Sequence, residues 1–135
     1  MKYIKKYLFV IFLLLVFDFV WLTKIVSKSM NKVVKDIQGA EINVNSNGKY
    51  IAIIIIYLVM AYMIYNYNLP NIGDERPLYD SFMNGGLLGM MAYAIFDLTN
   101  YAIFNKWALK EAIIDILWGG FLFTMVGYIV HKFNF

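Results

Sequence analysis

At 135 residues, 61% hydrophobic and 16% charged, the chain departs far from the roughly 45–50% apolar and about 25% charged usage of soluble domains, which excludes a globule that hides its apolar surface from water unaided. The formal net charge of +3 sits on scattered lysines and not on a basic tract, so nucleic acid is not an expected partner and the lipid bilayer supplies the counter-charges. With no cysteine and one histidine, disulfides, thiolate chemistry, histidine metal clusters and histidine-based triads are excluded, and neither a metal nor a cofactor is expected.

The first apolar run covers residues 7–26, long enough to cross about 30 Å of hydrocarbon at roughly 1.5 Å per residue. It continues past Asp18 and Trp21 without a small-x-small cleavage pattern, so it reads as a retained signal-anchor. Next comes the segment 27–39, where Val26, Met30, Val33, Val34 and Ile37 recur with helical spacing and Lys28, Lys32 and Lys35 occupy other faces. That pattern suits an amphipathic helix lying at the membrane interface, and a frayed extension of the first helix is the equal alternative. A second run, 50–67, holds no charge and is closed by Asn68-Leu69-Pro70, because proline lacks the N–H and clashes with the preceding turn.

A third run, 78–104, opens at Asp74-Glu75-Arg76-Pro77, where acidic side chains meet the positive helix end and proline fits the first turn. It is longer than one span requires, so tilt, an exposed first turn or a bend near Gly85-Gly86 must absorb the surplus. The fourth run, 108–130, comes after so short a connection that the third and fourth helices are expected as antiparallel neighbours. The expected fold is all-α: a polytopic, multi-pass integral membrane protein whose single domain, 1–135, is a bundle of four transmembrane helices. Lys2, Lys5, Lys6, Arg76 and Lys132 then share one side, and Lys24, Lys28, Lys32, Lys35, Lys49, Lys106 and Lys110 the other. This near-balance tips only slightly toward a cytoplasmic second set.

Three of the four runs contain an aspartate. A carboxylate at bilayer depth costs at least about 2.5 kcal/mol, so such residues point to function by default. With the helices alternating in direction, Asp18, Asp97 and Asp115 fall within about one turn of the same depth. Gly85, Gly89, Tyr93 and Asp97 repeat at four-residue spacing, succeeded by Asn100 and Tyr101, so packing glycines and polar groups share one stripe. On the fourth helix, Glu111, Asp115, Trp118 and Gly119 lie on or beside one face. Asp18 with Trp21 and Asp115 with Trp118 have the same Asp-x-x-Trp spacing, a trace of an internal repeat.

The functional reading is a polar cavity in which Asp18, Asp97 and Asp115, with Asn100, Tyr93, Trp21 and Trp118, bind a proton, a cation or a small ligand. Like charges in a low dielectric resist joint ionisation. Gly85, Gly89 and Gly119 are assigned to helix packing and not to phosphate binding, since no strand precedes them. Lys24 is expected to snorkel to the interface. Such a cavity suits a small transporter or ligand-binding protein, completed by self-association into a homo-oligomer. One alternative is a lipid-modifying membrane enzyme using paired aspartates, although an enzyme is not favoured. A structural or accessory role, with the aspartates holding helices together, is the other.

Gly89 to Gly119, with Ala92-Tyr93, Asp97-Leu98-Thr99-Asn100, Trp107 and Asp115-x-x-Trp118-Gly119, resembles domain-of-unknown-function family 2177, and Asp18-x-x-Trp21-Leu22 extends the resemblance to the first helix. Phe96 stands where the family's tyrosine is expected, and the segment 27–49 matches poorly. The resemblance implies a four-helix membrane fold and a membrane location, and no activity.

Overall fold

The computed structural model describes residues 2–25 and 27–133. Val26, the end of the first expected span and the first member of the amphipathic stripe, lies outside the described residues. Helix α1 (Lys2–Ile25) widens to π-helical geometry over Trp21–Ile25. Helix α2 (Ser27–Gln38) stops at Gly39, which has φ of 75° and donates its N–H to the Lys35 carbonyl at 2.8 Å. That left-handed cap is open to glycine without strain.

Helix α3 (Asn47–Asn71) starts at Ser46, whose hydroxyl accepts the Lys49 N–H. It ends in a π-helical stretch, Ile64–Asn68, and a 3-10 turn, Leu69–Asn71, that contains Pro70. Helix α4 runs over 77–103 as three contiguous stretches, Pro77–Ser81, the π-helical Phe82–Gly86, and Leu87–Ile103. Proline occupies its first turn, as the missing N–H allows. Helix α5 covers Leu109–Phe133.

Three helices, α1, α3 and α5, are long and apolar enough to cross a membrane. Helix α4 is not among them. It has the length, but Asp80, Asn84, Asp97, Thr99 and Asn100 lower its hydropathy.

Helix α5 is the centre of the bundle. Half of its apolar window is buried, against 22% for α1 and 17% for α3, and the core gathers Leu122, Phe123, Val126 and Val130 of α5 with Val10 and Leu14 of α1 and Met60 and Ile64 of α3. The α4–α5 hairpin brings backbones together at Gly89 and Gly119: a Cβ on either glycine would strike the other's carbonyl oxygen. Association in lipid depends on this kind of close packing, because hydrocarbon offers helices no hydrophobic reason to pair.

Gly85 serves a different partner from the one expected. It makes room for the side chain of Asn68 on α3, not for a neighbouring helix backbone. Asn68 is fully buried, and its amide donates to Ser81 Oγ at 3.1 Å and to the Phe123 carbonyl at 3.2 Å. Ser81 in turn donates to the Thr124 carbonyl at 2.6 Å. This polar knot ties the end of α3 to α4 and α5.

Helix α2 seats its apolar stripe on the protein itself. Val33, flanked by Met30 and Ile37, packs against Trp107, Ala108 and Ala112 at the start of α5, while Lys28, Lys32 and Lys35 stay exposed. The helix thereby covers one end of the bundle.

Candidate functional site

Asp18 and Asp97 are both buried, at 8% and 0% exposure, yet they occupy opposite kinds of surroundings. The Asp18 carboxylate accepts two strong donors: the Tyr57 hydroxyl from α3 at 2.7 Å and the Trp118 indole N–H from α5 at 3.0 Å. Trp21, one turn along α1, stacks face to face on Trp118 with ring centroids 4.4 Å apart and planes 6° from parallel. The two Asp-x-x-Trp pairs therefore interlock across α1 and α5, one indole serving as donor to the opposite aspartate and stacking surface for the opposite tryptophan.

Neither carboxyl oxygen of Asp97 accepts from an N–H or O–H group among the described residues; the side chain within its hydrogen-bonding reach is a second carboxyl, Asp115 of α5. The Tyr93 phenol lies near Asp18, Asp97, Asp115 and Tyr57. Among the described residues no ion pair reaches this group: Lys35–Glu41 and His131–Asp74 lie elsewhere. The three expected aspartates thus divide. Asp18 belongs to a satisfied network, whereas Asp97 and Asp115 face each other beside Tyr93. Among the described residues no three carboxyl or histidine side chains stand close enough to hold a metal ion together.

Other expected members are placed less centrally. Asn100 is half-buried, and it contributes its carbonyl to the Phe104 N–H at 2.8 Å and no side-chain bond. The inward stripe of α4 ends before Tyr101, which is 46% exposed. Lys24 is exposed on the last turn of α1.

A cleft of about 390 Å³ opens beside the Asp97–Asp115 pair. Its walls are Ile56, Val59, Met60 and Met63 on α3 and Ala92, Tyr93 and Phe96 on α4, with Asp115 of α5 at its base. It exists because the first half of α3 stands away from the bundle: residues 47–56 are all exposed. A larger depression of about 640 Å³ on the outer face of α4 and α5, around Leu78, Phe82, Met90 and Leu117, is apolar and remote from the carboxyls.

Sequence reading missed Tyr57 and Asn68. Tyr57 carried a usable signal, as a lone phenol well inside the otherwise aliphatic stretch from Ile51 to Ala61, where a hydroxyl must find a partner. Asn68 gave none, because beside Pro70 it reads as a helix end.

A family model described as "Predicted membrane protein (DUF2177)" matches residues 3–131. No curated protein and no solved structure matches the chain.

Proposed function

The chain belongs to this family of membrane proteins, and from that premise we propose that it is a four-span protein that binds a proton or a cationic ligand at the Asp97–Asp115 pair. The observation that carries the reading is Asp97, a carboxyl buried to 0% exposure that meets a second carboxyl, Asp115, and no N–H or O–H group among the described residues. Burying such a group unpaired is unfavourable in any medium and more so within a bilayer. Its persistence is explained by a partner that arrives from outside the chain. A small transporter needs such a step, and self-association of the bundle into a homo-oligomer belongs to the same proposal.

The fourth span in this proposal is α4. Over 77–103 it would reach about 40 Å at 1.5 Å per residue, and its polar residues Ser81 and Asp97 turn inward. Because the chain has no cysteine, single cysteines placed at Glu75 and at Asn105 report topology cleanly. They are expected to react with an impermeant maleimide from opposite sides of the membrane. Labelling from the same side would remove α4 from the spans.

Infrared difference spectroscopy in lipid nanodiscs tests the site, with Asp→Asn variants assigning each band. Adding methylammonium is expected to move carboxyl bands of Asp97 and Asp115. The Asp18 band, held by Tyr57 and Trp118, stays in place. Silence of all three bands favours the structural role instead. The same paired carboxyls beside a membrane-open cleft also suit acid–base work on a lipid, and a product accumulating in vesicles without an ion gradient identifies that enzyme.

A further inference from the structure

We propose that the cleft between α3 and α4 is the entry and binding site of a single-chain amphiphile with an ammonium headgroup, which passes in sideways from the bilayer and sets its head against Asp115 and Tyr93, with Asp97 buried behind Asp115. This rests on the function proposed above and names its ligand class.

Three features define the occupant. The cleft volume of about 390 Å³ falls within the roughly 300–1,000 Å³ of small-molecule sites. Its walls are aliphatic, thioether and aromatic side chains such as Val59, Met63 and Phe96, and in the proposed four-span arrangement the exposed Ile54, Ile55 and Val59 of α3 turn its mouth toward lipid chains. One end of its lining is polar and acidic: Asp115 lines it, Asp97 meets Asp115 carboxyl to carboxyl with no N–H or O–H donor among the described residues, and Tyr93 borders both the cleft and the carboxyls.

An apolar tail matches the walls. A head that donates several hydrogen bonds and carries positive charge matches the base, since two facing carboxyls without a cation attract one. An alcohol head supplies one donor and no charge. A second copy of the chain matches the walls but not the charge, because the outward faces of its spans present Ile55, Leu58, Phe12 and Leu15 with the neutral phenols of Tyr62 and Tyr101, and none of these carries a positive charge.

The experiment uses the full chain in phosphatidylcholine nanodiscs and tracks the Asp97 and Asp115 carboxyl bands as dodecylamine, dodecanol or methylammonium is added. Dodecylamine is expected to shift both bands, and dodecanol at the same membrane mole fraction is not. Ala92→Trp, which fills the cleft from α4 without touching a carboxyl, is expected to raise the half-saturating mole fraction of dodecylamine about tenfold, the scale of a lost charged hydrogen bond. Val59→Trp blocks from the opposite, exposed wall and repeats the test if Ala92→Trp does not fold. Equal responses of wild type and both blocked variants overturn the inference, as do equal responses to dodecylamine and dodecanol. Efficient disulfide dimers of Val59→Cys in the membrane overturn it in favour of a second copy in the cleft. Bands that move with methylammonium and no further with dodecylamine sink the amphiphile while leaving the cation site. Bands that ignore methylammonium and dodecylamine alike sink the site itself.

Discussion

Gly119→Val is expected to separate α4 from α5 and remove most folded protein. A Cβ at this position would lie 2.8 Å from the Gly89 carbonyl oxygen and 2.5 Å from the Tyr93 ring. The ring can turn away, but the carbonyl belongs to a helix backbone and cannot move without shifting α4. Two glycines meeting carbonyl to Cα give the hairpin its dispersion energy and weak C–H···O contacts. Prising them apart loses the whole interface, since lipid then solvates the exposed faces as well as the partner helix did. The expected loss of unfolding free energy is about 3 kcal/mol, the upper end of overpacking effects. Unfolding by denaturant in mixed micelles measures it. Gly48→Val is the control: nothing stands within 4 Å of a Cβ there, and its effect is expected within about 0.5 kcal/mol. Comparable losses at both glycines would show that the close approach at Gly119 is not what holds the hairpin.

The second large effect is a reversal of sign between two buried aspartates. Asp97→Leu is expected to stabilise the bundle by about 2 kcal/mol, because it removes a fully buried carboxyl that meets another carboxyl and no N–H or O–H donor among the described residues, and to abolish the response to methylammonium. Asp18→Leu is expected to destabilise by about 3 kcal/mol, because the Tyr57 hydroxyl and the Trp118 indole lose their shared acceptor and buried donors without partners are unfavourable. Asp18→Asn keeps one acceptor oxygen and is expected to fall between. Denaturant unfolding of the three variants beside wild type decides between these outcomes. If Asp97→Leu weakens the protein as Asp18→Leu does, both aspartates are braces and the binding site is abandoned. The contrast is informative because the two residues share type and depth of burial, and differ in the donors around them.

Much of this molecule is readable along the chain. Runs of Ile, Leu, Val and Phe set the helices, proline and glycine set their ends, and the short connection before α5 dictates the hairpin, because these features act through local sterics and through the length needed to cross hydrocarbon. The shared depth of Asp18, Asp97 and Asp115 comes from counting residues along helices of alternating direction. Counting gives depth and no azimuth. It therefore could not tell that Asp18 turns toward Tyr57 and Trp118 while Asp97 turns toward Asp115, nor that Tyr101 turns outward after an inward stripe.

Helix azimuth depends on side chains from other helices and on the π-helical stretches at Trp21–Ile25, Ile64–Asn68 and Phe82–Gly86. Each widened turn shifts the register of the residues C-terminal to it, so a strict four-residue repeat drifts off its face. The membrane character, the helices and the acidic residues within them were thus determined by the sequence alone, through local rules. Which aspartate is satisfied, which is left bare and where the wall opens beside it were decided only by packing, since a hydrogen bond in a bilayer exists or fails according to the orientation of a neighbour distant in sequence.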